Sequence, residues 1–429
     1  MNTNQQPDIH LNLNVRGLPV SATLAINERS NELLKEGRQV YKLGLGQSPF
    51  PVPQPVVDML KVNAHQKDYL PVKGLMELRN TVADYYRRTQ GLDYSGEDII
   101  IGPGSKELMF IVQLVYYGDL MIPTPSWVSY APQAQIIGRQ VKWIDTTESN
   151  KWLITPEEID KECSKDPSRP RILILNYPNN PTGYTYGPEQ LEALAEVARK
   201  YKIVVLSDEI YGELHHEGKH ISIARYYPEG TIISSGLSKW CGAGGWRLGT
   251  FAIPRTLRWL LDKMSVVASE TYTATSAPIQ YAAVSAFKGG LAIENYLWQS
   301  RRIVKALGTW CADMLIEKGV GVERPMGGFY LFPDFEPLRE KLEKKGIYTS
   351  SELCETILNE AGVAMLPGSE FGRPEKELTV RLAYVDFDGA RAITAAEQIP
   401  SEEELNGEYL RTYCGNVVKA IEKVCDWIG

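Results

Sequence analysis

The chain has 429 residues, 43% hydrophobic and 23% charged. That is long enough for a large domain with a smaller companion and apolar enough to bury a substantial core. Asp and Glu outnumber Lys and Arg 53 to 46, a net charge of -7, so nothing global draws the chain to nucleic acid or an anionic membrane, and any anion site must be local. The opening Met1-Asn2-Thr3-Asn4-Gln5-Gln6-Pro7-Asp8 lacks the basic end and apolar run of a secretory leader, and no later stretch reads as a bilayer span, so a cytoplasmic protein is expected. The six cysteines are scattered without short paired spacings and predict reduced thiols. The five histidines form no ligand pattern, so no metal is expected, and His215-His216 reads as part of a solvated loop.

From about residue 98 to 255, short β-branched runs alternate with longer helical patterns. Strands are predicted at Ile99–Ile101, Leu120–Ile122, Arg171–Leu175, Ile203–Leu206, Thr231–Ile233 and Leu248–Ile253, with helices over Glu107–Tyr116 and Pro188–Lys202. This is the pattern of a parallel sheet with crossover helices. After about residue 290, long amphipathic segments at Tyr296–Lys318 and Ser350–Ala361 are separated by strand-like Gly328–Phe332 and Thr379–Ala383, which predicts a second, α+β domain. Ser401-Glu402-Glu403-Glu404 reads either as a capping box opening the last helix or as an exposed loop.

Four segments at strand ends carry the chemistry, and ligands collect at the carboxyl edge of a parallel sheet. Gly102-Pro103-Gly104-Ser105-Lys106 lies between a strand and a helix, where small residues let backbone N–H groups and the helix N-terminus approach an anion. It is not a dinucleotide fingerprint, because Glu107 stands where the third glycine would be. Asn176-Tyr177-Pro178-Asn179-Asn180-Pro181-Thr182-Gly183 is a rigid turn whose amides either meet a planar polar ligand or cap their own backbone. In Ser207-Asp208-Glu209-Ile210-Tyr211, neighbouring residues point to opposite faces, so one acid faces the site and the other meets a helix terminus or a basic side chain. A carboxylate there is costly without a partner, and a protonated ring nitrogen would be one. Finally, Ser235-Gly236-Leu237-Ser238-Lys239-Trp240 runs into a Gly-rich turn that delivers Arg247. A lysine amine forms Schiff bases and an arginine fork grips phosphate, which together point to pyridoxal 5′-phosphate.

In this order the segments resemble the class I/II aminotransferases of the pyridoxal-phosphate fold type I group, which are aspartate aminotransferase-like, over nearly the whole chain. The resemblance implies a large domain over residues 50–310 with a mostly parallel seven-stranded sheet, and a small α+β domain from 1–49 and 311–429 that closes over the substrate. Lys239 would be the Schiff-base lysine and proton shuttle, and Asp208 would pair with the pyridine nitrogen. Asn180 and Tyr211 would hold the phenolic oxygen, and Trp127 would stack on the ring. Gly104, Ser105, Lys106, Arg247 and a serine would hold the phosphate. Many relatives carry Ser or Thr three positions before the lysine, where this chain has Gly236, so Ser238 or Ser235 must substitute, with Ser238 preferred.

By the same resemblance, Arg381 would grip the substrate α-carboxylate and Gly46 would lie on the strand that closes over it. Tyr69 would reach the phosphate of a neighbouring subunit, making a homodimer with composite sites. The expected reaction is a ping-pong transfer of an amino group from an L-amino acid to a 2-oxo acid. Ser269-Glu270-Thr271-Tyr272-Thr273 contains no basic residue where one subgroup keeps an arginine for dicarboxylates, so a neutral or aromatic donor stands at least level with aspartate. Two other readings share the motif set: a Cα-deprotonating lyase of the C–S lyase or cyclopropane-carboxylate synthase type, and a ligand sensor, which would ordinarily carry a basic DNA-binding module.

Overall fold

The structure is a computed structural model that describes residues 10–18 and 20–429; Met1–Asp8, where a leader would stand, lies outside them. Twelve strands occur among the described residues: β1 (Tyr41–Lys42), β2 (Ile99–Gly102), β3 (Asp119–Thr124), β4 (Val141–Asp145), β5 (Arg171–Asn176), β6 (Val204–Asp208), β7 (Thr231–Gly236), β8 (Gly249–Ala252), β9 (Tyr330–Leu331), β10 (Val363–Ala364), β11 (Leu366–Pro367) and β12 (Val380–Ala383). Seven form one sheet in the order β2-β8-β7-β6-β5-β3-β4. Every neighbouring pair is parallel except those made by β8, which runs antiparallel to β7 and β2. This is the mostly parallel α/β sheet expected.

Both sheet faces are buried, which is why its strands read as unbroken apolar runs rather than alternations. Ile99 and Ile101 point into one core and Ile100 into another. In β5, Leu173 and Leu175 face one side while Ile172 and Ile174 face the other. Within this sheet the strand that the apolar pattern does not predict is β4. It is an edge strand whose Lys142 and Trp143 are exposed, so it lacks the continuous run that marks its neighbours.

Beyond the sheet, β1 pairs in parallel with β10, and β11, β12 and β9 form an antiparallel sheet of three. The N-terminal strand is thereby stitched to the C-terminal part of the chain, next to the strand that carries Arg381. The helix Ser350–Ala361 opens on a capping box between Thr349 and Glu352 and closes at Gly362 in the left-handed conformation. Ser401–Glu404 caps no helix; it is an exposed turn, and the next helix, Gly407–Tyr413, begins on the Asn406 side chain, followed by the last, Gly415–Ile428.

His215-His216 is not solvated either. Both residues are buried, and His216 has its ring nitrogens 3.1 Å from the carbonyl oxygens of Pro325 and Gly328. The 325–328 segment meets these histidines, with Gly327 bridging His215, a tertiary contact invisible in the local sequence. All six cysteines are buried and unpaired. Among the described residues no helix is long and apolar enough to cross a membrane, and no cluster of three or more His, Cys, Asp or Glu could hold a metal.

Candidate active site

The carboxyl ends of β2, β3, β5, β6 and β7 open on one edge of the sheet, and the start of the reversed β8 joins them there. A cavity of about 420 Å³ lies at this edge, lined by Gly46, Ser105, Lys106, Trp127, Asn180, Asp208, Tyr211, Ser238, Lys239 and Arg247, together with Gln47, Asn176 and Ile210. The fold thus gathers residues from six separate segments. Two expected cofactor residues do not line this cavity: Gly104, which precedes the Ser105 helix, and Tyr69, which is 91% exposed. Arg381 sits behind the wall and is reached through Asn180.

At the anion end, Gly104 adopts φ +93° just before the helix Ser105–Val115, a conformation that favours glycine. A Cβ there would meet the Arg247 guanidinium at 2.2 Å. Gly249 on β8 passes so close beneath the cup that a Cβ would lie 2.0 Å from the Ser105 nitrogen. Arg247 donates to the Gly244 carbonyl at 2.9 Å and has no carboxylate partner among the described residues. Gly236 is pressed against the Leu248 carbonyl, 2.6 Å from where a Cβ would be. No serine fits at that position, and Ser238 rather than Ser235 lines the cavity.

At the other end is Asp208. Burial pushes its carboxyl up to about 6, against hydrogen bonds from the Tyr130 hydroxyl at 2.5 Å and the Ile210 N–H at 3.4 Å that favour the charged form. No lysine or arginine among the described residues forms an ion pair with it. Lys239 donates to the Gly46 carbonyl at 2.7 Å and lies 5.6 Å from the centre of the Tyr211 ring. The Tyr211 and Tyr330 hydroxyls are hydrogen-bonded at 2.8 Å, and burial raises the Tyr211 phenol well above the usual tyrosine range. Trp127 packs edge-on against Tyr130, with the Lys106 amine 5.0 Å over its ring. Burial, then the Arg247 and Lys239 charges, lower the Lys106 amine.

The two asparagines of the turn divide the two readings between them. Asn179 caps its own backbone, accepting from the Thr182 N–H and hydroxyl. Asn180 turns to the site, where its Oδ1 accepts from Arg381 Nη1 at 3.2 Å. Arg381 is fully buried, stacks between Tyr330 and Phe371, donates to the Gly44 carbonyl, and leaves Nε without a partner. A buried guanidinium with no carboxylate is a site prepared for one.

Three residues escape the sequence reading. Tyr130 is hidden at the start of a short helix, Tyr130–Ile136, and meets Trp127, which lies in the loop before that helix, through an edge-on ring contact. Asn176 reads in sequence only as part of the turn, yet its Nδ2 donates to the Asp208 carbonyl and its Oδ1 accepts from the Asn180 N–H. Tyr330 reads only as strand.

The arrangement fits a group with a cationic ring nitrogen, an aldehyde and an anionic tail. Among the described residues Asp208 is buried without a lysine or arginine partner and Lys239 and Arg247 have no carboxylate partner, and the glycines open a cradle that a side chain would fill. Residues 38–390 match the family model for aminotransferase class I and II, and the chain belongs to that family. It is an enzyme of the fold type I, pyridoxal-phosphate-dependent aminotransferases.

Among relatives, it is 36% identical over 395 residues to an aspartate aminotransferase of Geobacillus stearothermophilus, covering 90% of this chain and 96% of that one. It is 30% identical over 374 residues to an asparagine–oxo-acid transaminase of Streptococcus mutans, covering 85% and 92%. Its fold is similar to that of the Thermus thermophilus aspartate aminotransferase with maleate, at TM-score 0.83 and 28% identity over 98% of this chain and 100% of that one.

Proposed function

We propose that this enzyme transfers the amino group of an acidic L-amino acid, aspartate in the first place, to a 2-oxo acid. The observation that carries this reading is the charge inventory of the cavity. Lys106, Lys239 and Arg247 line it, Arg381 stands behind Asn180, and Asp208 is the one carboxylate in the lining among the described residues. Arg247 and the helix N-terminus match a phosphate, Lys239 an aldehyde, and Arg381 an α-carboxylate. That leaves the Lys106 ammonium, which has no carboxylate partner among the described residues, for a second carboxylate on the substrate. That several relatives are aspartate aminotransferases supports the reading.

In this reading Lys239, Arg247, Ser238, Ser105 and Gly104 hold pyridoxal phosphate with Asp208, Asn180, Tyr211 and Trp127. When bound, the cofactor supplies a reactive aldehyde and a ring that takes up an electron pair. Asp208 keeps a proton on the ring nitrogen. Tyr211, its phenol supported by Tyr330, and Asn180 donate to the phenolic oxygen. Arg381 fixes the substrate α-carboxylate, so that the Cα–H bond faces the Lys239 amine, which removes that proton and returns it. Gly46 and Gln47 form the wall that excludes water. Tyr69 is exposed on this chain, and we assign it to the site of a second copy in a homodimer.

The test mixes cofactor-loaded protein with single amino acids and follows the cofactor's absorbance through the half-reaction. Aspartate is expected to react fastest, and Lys106→Ala to raise its KM at least about tenfold with little change for alanine. Fastest turnover of phenylalanine or tyrosine would overturn the acidic donor. Ammonia or thiol release without an amino acceptor would replace transfer by elimination.

A further inference from the structure

Directly behind Asp208 lies a second buried acid that the reaction so far does not use. Glu209 is 5% exposed and points away from the cavity. Its Oε1 accepts from the Ser222 hydroxyl at 2.6 Å, the Ser207 hydroxyl at 2.7 Å and the Tyr177 hydroxyl at 3.4 Å; its Oε2 meets His220 Nε2 at 2.8 Å. The donors are themselves locked. Ser222 Oγ accepts from the Ala224 N–H, the Tyr177 hydroxyl from the Ile223 N–H, and the Ser222 N–H is held by Gln90.

Every contact to both oxygens comes from a donor, so the pocket is built around a carboxylate, yet no lysine or arginine among the described residues pairs with it. The imidazole is the one group there that could carry positive charge. His220 Nδ1 is buried without a partner among the described residues, so an N–H there would have no acceptor, which is costly. The groups that feel Glu209 are Asp208, His220 and the buried phenols Tyr85, Tyr86, Tyr94 and Tyr177. In the four phenols burial is the main cause of an upward shift and Glu209 adds to it.

A buried charge with no lysine or arginine beside it is expensive even when hydrogen-bonded, and its place beside Asp208 gives it a use. We propose that Glu209 is a positioning residue for the site: its uncompensated charge acts through Asp208 to keep the ring nitrogen of bound pyridoxal phosphate protonated. The proposal rests on the reading of this cavity as a pyridoxal-phosphate site. Asp208 makes the contact, and Glu209 supplies a field from the far side of the strand end, where it cannot interfere with substrate.

The test loads full-length protein with pyridoxal phosphate labelled with ¹⁵N in the ring and reads the nitrogen's protonation against pH by NMR. Glu209→Gln keeps the shape and removes the charge, and is expected to lower the ring nitrogen's proton affinity about tenfold. His220→Gln replaces one neutral donor by another and is expected to leave the signal where it is. An unshifted Glu209→Gln protein overturns the proposal. So does a His220→Gln protein that holds the proton about tenfold more tightly, since that would show an imidazolium neutralising Glu209. If Glu209→Gln does not fold, ¹⁵N-histidine spectra of the wild-type chain at pH 7 decide it: a neutral His220 ring supports the proposal and an imidazolium ends it. Failure of the wild-type protein to take up the labelled cofactor would instead refute the reading of the cavity.

Discussion

The Tyr130 hydroxyl donates to Asp208 Oδ2 at 2.5 Å, and both groups are buried. A hydroxyl bond to a charged acceptor contributes about 1.5–3 kcal/mol and selectively favours the ionised carboxyl. Tyr130→Phe is therefore expected to raise the Asp208 titration above its present value of about 6 and to weaken cofactor binding. Carboxyl titration of the cofactor-free chain by ¹³C NMR checks the direction. A midpoint that stays put or falls would contradict it.

Asp208 also links stability to pH. Its folded-state value is about 6 against an ordinary 3.8, so the folded chain holds the proton more tightly than the unfolded one. The stability this brings is complete below the unfolded value and is lost as pH rises through about 6. The difference between the two values corresponds to about 3 kcal/mol at neutral pH. Asp208→Asn should stabilise the cofactor-free chain at pH 7 by up to about this much, with the gain shrinking toward pH 4, while abolishing tight cofactor binding. Urea unfolding at the two pH values tests it.

His216 works in the opposite sense. Burial lowers its ring to about 4, against the two carbonyl contacts. A buried ring kept neutral contributes stability above the unfolded value near 6.5 and loses it as pH falls toward 4. His216→Asn should flatten the loss of stability between pH 7 and pH 5 that the native chain shows in urea unfolding. An unchanged slope would mean that the ring is not what titrates.

Gly46 sits against Tyr330 so closely that a Cβ would lie 2.0 Å from the phenolic oxygen and 2.6 Å from two ring carbons. Gly46→Ala must push the segment off Tyr330 and pull its carbonyl from Lys239, at a cost of about 1–3 kcal/mol. Pairing it with Tyr330→Leu is expected to recover part of that stability, seen as a non-additive double-mutant cycle in thermal unfolding. Strict additivity would place the strain elsewhere.

Arg381→Lys should fail as a conservative change. The guanidinium bridges Asn180 and the Gly44 carbonyl with Nε to spare, and an ammonium cannot reproduce that planar fork. KM for the amino donor is expected to rise by about 100-fold, with the cofactor's affinity nearly unchanged. An equal loss of cofactor binding would mean that Arg381 holds the fold instead.

The chemistry of this protein was legible in its sequence because the site is assembled from strand ends, and each end is marked by a local break in pattern. Glycines before a helix, an acid after an apolar run and a lysine ahead of a Gly-rich turn need no tertiary information to stand out. The buried strands announced themselves for the same reason, since apolar residues on both faces leave unbroken runs such as Ile99–Ile101. What only the folded chain decided were relations between segments far apart in number. Tyr130 meets Asp208, Tyr330 meets Tyr211 and forbids a side chain at position 46, the buried histidines meet the 325–328 segment, and Glu209 is ringed by hydroxyls. Hydrogen bonds and excluded volume act over a few ångströms, so they depend on which residues the sheet order makes neighbours, and no periodicity along the chain encodes that order.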